Sequence, residues 1–578
     1  MSIAFHFGEA TASAEATTSG EDVARRLSPH ELKRVQELFA AGDQLDQFAR
    51  EYQFDNELEA LCAVGQSLAI PVLDLSKEDI DESILEGFPV RLVHRHGVFP
   101  IARSKSSVQL ALSNPFDVQA ADAVAEATGL FVRTVLALPH EVATLIKSHL
   151  GVGAETLEGL MAQAAEESDG LEVIGDLEFD ESEAAAMAQQ ASVVRLVNDI
   201  LVEAVTARAS DIHMEVQESG LKLRYRIDGV LQTQPLPPEL NRFQAAIISR
   251  LKIMARLNIA EKRVPQDGRI RIRVSGREVD VRVSIIPMLH GEGVVMRVLD
   301  KDAMTFSLSG IGMEDDINER FQKLIRLPHG IVLVTGPTGS GKTTTLYSSL
   351  AEIKSERNKI ITTEDPIEYQ LEGINQIQVN HKVGLTFAAG LRSILRHDPD
   401  VVLVGEIRDF ETAENAVQAS LTGHMVFSTL HTNDAAGAFM RLVDMGVEPF
   451  LVASTVEGVV AQRLVRTLCR ECREGYVPSY DEVPEDFPFD DIAYGAPIFR
   501  PVGCRNCRGT GYTGRLGIYE LLEANEQIRQ LAHDRTGTDK IRKAAIAGGM
   551  TTLRQDGWKK VAQGITSIDE VLRVTKAD

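Results

Sequence analysis

Residues 336–343 read Gly336-Pro337-Thr338-Gly339-Ser340-Gly341-Lys342-Thr343. Glycines at these intervals let backbone N–H groups converge on an anion at the positive end of a helix. In such a loop the lysine reaches the β- and γ-phosphates and the following hydroxyl ligates Mg²⁺. The flanks fit. Ile331 to Thr335 reads as a buried strand, and Thr343 to Leu350, with Thr344 in its first turn, as a helix. The chemistry implied is binding of a nucleoside triphosphate with Mg²⁺.

Three further groups lie downstream. The run from Ile361 ends in the carboxylates Glu364, Asp365 and Glu368. The apolar run Val401 to Val404 ends at Glu406, Arg408 and Asp409. At the carboxyl ends of strands in an α/β sheet, such groups surround a ligand. Carboxylates there hold Mg²⁺ through water and orient the attacking water. The third group is a strand flanked by His424 and His431, suited to sensing a γ-phosphate. One acid or histidine carries little weight; their order after the glycine loop carries more. Cysteines form two pairs, Cys469-x-x-Cys472 and Cys504-x-x-Cys507, with 31 residues between. That is the spacing of structural Zn²⁺ held by four thiolates. Cys62 stands alone on an apolar helix face and reads as core.

The elements that must position these groups follow from composition and periodicity. Residues 1–20 are small and polar and read as disordered. An N-terminal α+β domain fills 21–150, with a helix from Glu31, a strand-like run Ala69 to Leu75, and a turn at Asn114 that starts a helix. Between Lys147 and Arg195 there is no Lys or Arg, while eleven acids fall there. Residues 151–190 therefore read as an acidic tether, in which Leu171 and Val173 can make one short element. Residues 191–305 read as a second α+β domain: a helix from Val193 to Ala207, then strands at 221–227, 269–273, 279–284 and 294–298. Apolar residues alternate there with arginines, which predicts a sheet buried on one face and basic on the other. The nucleotide-binding core spans 306–465, the tetracysteine module 466–515 and a helical part 516–578.

The chain has 578 residues and a net charge of −24. No apolar run approaches the ~20 residues that span a bilayer. The N-terminus lacks the basic and apolar regions of a secretory signal, so a cytoplasmic location is expected. The acidic total disfavours direct nucleic-acid binding. Arg463, Arg466, Arg470, Arg473, Arg500, Arg505, Arg508 and Arg515 crowd the cysteines. They read equally as a solvated surface or as a docking patch for an acidic partner or anionic lipid headgroups.

The glycine loop, the box Thr363-Glu364-Asp365-Pro366, the run Val404 to Asp409, and the histidine box Gly423-His424 to His431 together resemble the motor ATPases of type II secretion and type IV pili. Val264 to Arg269 and Ala209 to Glu215 match as well. The resemblance covers roughly residues 60–578. It implies a RecA-like P-loop core preceded by a PAS-like α+β domain and an N-terminal α+β domain, with a C-terminal zinc module. It implies a cytoplasmic homohexamer, peripheral to the inner membrane and working with membrane platform proteins. By the same resemblance Glu364 polarises water, Glu406 supports Mg²⁺ and the γ-phosphate, and Arg282 and Arg297 close over the nucleotide. Arg392, Arg396, Arg408 and Arg441 take interface or sensor roles. Some relatives bind cyclic di-GMP through Arg-Leu-Gly; Arg26-Leu27-Ser28 departs from that motif, and the N-terminal domain reads as a docking domain. The tetracysteine module points to extension or secretion rather than retraction. Val417 to His424 and Asp444 to Leu451 resemble the type II secretion branch, which powers pseudopilus assembly and protein export. Pilus extension and a DNA-transfer motor stand as alternatives.

Overall fold

The computed structural model describes residues 26–576 apart from 41–44, 76–79, 81, 86–87, 90–91, 94–95, 105, 151–170, 174–190, 237, 301–305 and 490–496. The expected disorder of residues 1–20 lies outside the described residues. The chain divides into two units, 1–164 with 235–240, and 165–234 with 241–578.

The first unit runs α1 (Pro29–Ala40), α2 (Leu45–Glu51), α3 (Glu57–Leu68), β1 (Val98–Arg103), β2 (Ser107–Leu112), α4 (Val118–Thr128), β3 (Phe131–Leu136) and α5 (Pro139–Leu150). β2 is antiparallel to β1 and parallel to β3. A parallel pair needs a crossover, and α4 supplies it. The Asp117 side chain accepts from the Ala120 N–H to start α4, so the turn read at Asn114 holds. The core gathers Phe48, Leu61, Val64, Phe99, Leu110 and Leu136. The expected strand Ala69 to Leu75 does not form. Val72 makes a single bridge to Leu136; Pro71 has no N–H to extend it and only accepts, from the Leu136 N–H at 2.8 Å.

The second unit contains two large sheets. The first has the order β4-β8-β9-β10-β5-β6-β7. Its strands are β4 (Leu171–Val173), β5 (Ala209–Gln217), β6 (Gly220–Ile227), β7 (Val230–Gln234), β8 (Gln266–Val274), β9 (Arg277–Met288) and β10 (Gly291–Asp300), with helices α6 (Ala191–Thr206) and α7 (Gln244–Met254). The predicted alternation is present: Ile270, Ile272, Val281 and Val283 are buried, and Arg269, Arg271 and Arg282 are not. The other face is not bare positive charge. Arg269 pairs with Asp280, Arg224 with Glu215 and Arg273 with Glu278 at 3.2 Å. In the acidic segment the backbone of Leu171–Val173 pairs with Ile272–Val274 as an edge strand. The rest of 151–190 lies outside the described residues.

The other large sheet has the order β13-β12-β14-β15-β11-β16-β19. Its elements run α8 (Asp315–Ile325), β11 (Gly330–Thr335), α9 (Lys342–Ile353), β12 (Ile360–Glu364), β13 (Asn375–Gln378), α10 (Phe387–Ile394), β14 (Val401–Val404), α11 (Phe410–Leu421), β15 (Met425–Leu430), α12 (Ala436–Asp444), α13 (Pro449–Thr455) and β16 (Val456–Leu468). Then come β17 (Glu474–Tyr476), β18 (Ile498–Arg500), β19 (Tyr512–Glu523) and helices α14 (Glu526–His533), α15 (Thr538–Ala547), α16 (Leu553–Ala562) and α17 (Ile568–Val574). Six of the seven strands are parallel and β19 is antiparallel to β16. β11, β14 and β15 are buried along their whole length, as strands covered on both faces must be. Ile331, Leu333, Val404 and Phe439 fill one face; Val332, Val334, Leu346 and Phe427 fill the other. This is the RecA-like α/β core. It does not stop at 465, and 516–523 is strand rather than helix. Ile518, Tyr519, Leu521 and Leu522 are buried against β16, so the cysteine module is an insertion in a sheet hairpin. Among the described residues no helix is long and apolar enough to cross a membrane.

Candidate functional site

β11 ends at Thr335, whose hydroxyl donates to the Leu430 carbonyl at 3.0 Å and accepts from the Thr432 N–H at 2.9 Å. This pins the carboxyl ends of β11 and β15 together. The glycine loop springs from that end. Gly336 has φ +148°, and a Cβ there would lie 2.5 Å from the Gln462 carbonyl oxygen; no side chain fits. Pro337, Thr338 and Gly339 are exposed, and Ser340 is buried with a hydroxyl that finds no partner. Gly341, at φ +90°, ends the loop without a side-chain cap on α9. The first N–H groups of α9 have no intrahelical acceptor, so the helix presents them, with exposed Thr343 and partly exposed Thr344, to whatever fills the loop. Lys342 Nζ donates to the carbonyls of Gly336 at 2.8 Å and Pro337 at 3.0 Å. Burial holds its pKa below the usual lysine range; Glu406 opposes that shift and Arg463 adds to it. An uncapped helix start, an orphan hydroxyl and a partly buried lysine are the features that polyphosphate satisfies.

The carboxylates sit on neighbouring strands at the same end. The Gly405 N–H donates to Thr363 O at 2.8 Å and the Ile407 N–H to Thr429 O at 3.0 Å, which fixes Glu406 just past β14. Glu406 accepts from Arg408 Nε at 2.5 Å and lies 3.4 Å from His431 Nε2. Glu364, at the end of β12, is only 5% exposed. It accepts from the Tyr347 hydroxyl of α9, from Thr362 Oγ1 at 2.5 Å and from Gln376 Nε2 at 3.1 Å. Three donors hold it still and leave about one of its lone-pair sites, on Oε2, unfilled by them; at 5% exposure it is also the less open of the two acids.

His431 joins the site and His424 does not. His424 precedes β15, at the end away from the loop: its carbonyl accepts from the Gly330 N–H, where β11 begins. Its Nδ1 contacts Ala419 O at 2.9 Å and Thr422 Oγ1 at 3.1 Å. Six strand residues separate the histidines, about 20 Å at the rise of a strand. His424 is a helix-end residue here and is removed from the nucleotide set.

Arg269, Arg282 and Arg297 lie opposite one another across β8, β9 and β10. Arg282 is 3.4 Å from Glu368 and donates to Ile367 O at 3.3 Å, in the segment after Glu364. Arg297 donates to Asp211 at 3.2 Å. Of the other arginines, Arg408 joins Glu406, Arg392 pairs with Glu411 on α11, Arg396 donates to Arg392 O at 2.7 Å, and Arg441 is exposed on α12.

Three site residues escaped the sequence reading: Tyr347, Gln462 and Arg463. Gln462 accepts from Thr345 Oγ1 at 2.7 Å, beside the loop. Arg463 belongs with the glycine loop and not with the cysteines. No local pattern says so, because it depends on β16 lying next to β11.

The four cysteine sulfurs lie within 4.8 Å of one another, with separations of 3.7 and 3.8 Å. A tetrahedron with ~2.3 Å metal–sulfur bonds has edges of about 3.8 Å, so the donor set fits Zn²⁺. N–H groups of Gly503, Cys504 and Gly511 point at the sulfurs. The arginines around them are largely spent. Arg466 pairs with Glu570, Arg500 with Glu474 at 2.6 Å, and Arg473 donates to Gly564 O at 2.6 Å.

Comparison with known proteins matches residues 186–573 to the type II/IV secretion system protein family and residues 68–156 to the MshEN domain. The type II secretion system protein E of Xanthomonas campestris is 43% identical over 96% of this chain and 97% of its own. The type II secretion system ATPase E of Vibrio cholerae is 53% identical over 67% of this chain and 76% of its own. The type IV pilus assembly ATPase PilB of Myxococcus xanthus is 41% identical over 89% of this chain and 90% of its own. With a glycine loop, paired acids and a parallel sheet that place it among P-loop ATPases, and with these matches across nearly its full length, the chain belongs to the type II/IV secretion system protein family.

Proposed function

We propose that the chain is the ATPase of a type II secretion system, hydrolysing ATP to drive pseudopilus assembly and protein export. The observation that carries this reading is the convergence of the uncapped glycine loop, Lys342, Glu406 and His431 at one end of a single parallel sheet. The loop from Gly336 to Thr344 binds the phosphates. Lys342 takes the β- and γ-phosphates. Mg²⁺, when present, neutralises phosphate charge; Thr343 and Glu406 would hold it. Glu406 or Glu364 orients the attacking water. Arg282 and Arg297 act when their domain closes on the core, with Arg282 exchanging Glu368 for phosphate. Cys469, Cys472, Cys504 and Cys507 hold a structural Zn²⁺ with no open position for a catalytic water.

The working form is a homohexamer on the cytoplasmic face of the inner membrane, docked on platform proteins, without direct nucleic-acid contact. A type II secretion system protein E that matches 96% of the chain at 43% identity supports export; pilus extension, with a pilus assembly ATPase at 41% over 89%, is the second reading. Steady-state hydrolysis by the purified chain tests the enzyme. Glu406→Gln should bind ATP and lose turnover, whereas Lys342→Ala should lose both. Near-wild-type turnover of Glu406→Gln would remove Glu406 from the mechanism.

A further inference from the structure

We propose that Arg463 is a phosphate ligand of the bound nucleotide, supplied by the same chain and acting beside Lys342. The inference rests on the nucleotide-binding reading above. β16 runs parallel to β11 with Ala461 opposite Thr335, so Gln462 and Arg463 continue past the point where β11 gives way to the glycine loop. A Cβ on Gly336 would lie 3.1 Å from Arg463 Nη1, and Lys342 Nζ lies 2.8 Å from the carbonyl of the same glycine. Two cations therefore flank one residue of the loop.

Among the described residues, nothing anionic compensates them at contact distance. Among the described residues no carboxylate makes an ion pair with Arg463; Asp434 and Glu520 act on it only from farther away. Its guanidinium donates instead to neutral oxygens: Asn433 O at 3.0 Å, Gln462 O at 3.2 Å and Asn433 Oδ1 at 3.4 Å. Arg466, three residues along the same strand, has the carboxylate of Glu570. Burial lowers the Arg463 pKa, and Arg463 in turn helps to lower that of Lys342. A partly buried cation served by neutral acceptors, next to another cation, is unfavourable until an anion arrives. A polyphosphate in the loop supplies that anion, and a guanidinium fork suits two phosphate oxygens better than a point charge does.

Calorimetric titration of the full-length chain with ATP, ADP and AMP tests this in wild type, Lys342→Ala, Arg463→Gln and Arg463→Lys. Losing a charge-assisted contact predicts a drop on the order of tenfold or more in Arg463→Gln affinity for ATP and ADP, with AMP affinity nearly unchanged. Arg463→Lys should fall between Gln and wild type. A wild-type chain that binds no ATP overturns the nucleotide reading and this inference with it. Wild-type binding with Arg463→Gln within twofold for ATP overturns the inference alone. Equal losses for AMP and ATP assign the contact to the nucleoside and overturn the phosphate assignment. If Arg463→Gln melts at a lower temperature than wild type, Arg463→Met, which keeps the stem packing, is titrated in its place with the same criteria.

Discussion

A buried carboxylate with three donors is not a free base, and that governs how Glu364 should behave. Tyr347, Thr362 and Gln376 all donate to it. Removing the Tyr347 hydroxyl by Tyr347→Phe leaves a shape-conserving change and one freed lone pair. If Glu364 must stay fixed, turnover should fall on the order of tenfold, the worth of one hydrogen bond to a charged group, with ATP affinity nearly unchanged. If Glu364 must be released to work, turnover should rise instead; either result assigns the Tyr347 contact a role, and an unchanged rate assigns it none. The sequence made the loop and the acids legible because their spacing is local. It misplaced His424 because a histidine at the start of a strand and one at its end look alike until the strand direction is fixed. Arg463 was grouped with the cysteines for the same reason: proximity along the chain stood in for proximity in the sheet.

The β16–β19 hairpin explains why the C-terminal elements were only partly legible. Residues 469–511 separate its strands, and nothing within either strand specifies that distant pairing. The inserted module also packs on the C-terminal helices. Phe487 packs edge-on against Trp558 at 5.3 Å, Asp486 accepts from Arg554 and Trp558, and Phe487, Ile498 and Val571 share one core; Ile492 lies outside the described residues. Because the four sulfurs are placed to share one ion, Cys504→Ser should abolish bound zinc, near one equivalent in wild type, and open 469–511 to protease. ATP binding by the glycine loop should persist. A metal-free wild type whose module resists protease would rule out the zinc assignment.

Glu570, on α17, offers a pH test of how that helix is held to β16. Burial pushes its carboxyl up, but hydrogen bonds from Arg573 and Arg466 outweigh burial and hold it down at about 2. A carboxyl depressed in the fold stabilises above its ordinary pKa and loses that contribution as pH falls through its folded value. The stability gap between wild type and Glu570→Gln should be full at pH 7 and shrink steadily below about pH 4.5. A gap independent of pH between 7 and 3 would deny the ion pairs that role.

At the scale of the whole molecule, the glycine-loop core is joined to a second domain in which Arg282 and Arg297 face the carboxylates of Glu368 and Asp211. Replacing Arg282 or Arg297 by Ala should cost on the order of 10³-fold in turnover if either acts as an arginine finger, with little change in ATP affinity. A loss under about threefold would return both to the surface pairs seen with Glu368 and Asp211. Family membership makes the chain a secretion-family ATPase, whose hydrolysis is expected to drive export. The most direct measurement is protein export by cells whose only copy of this chain is Glu406→Gln, with its abundance matched to wild type. Export is predicted to stop while the variant still binds ATP. Export at the wild-type level, with pilus assembly lost instead, would contradict the account.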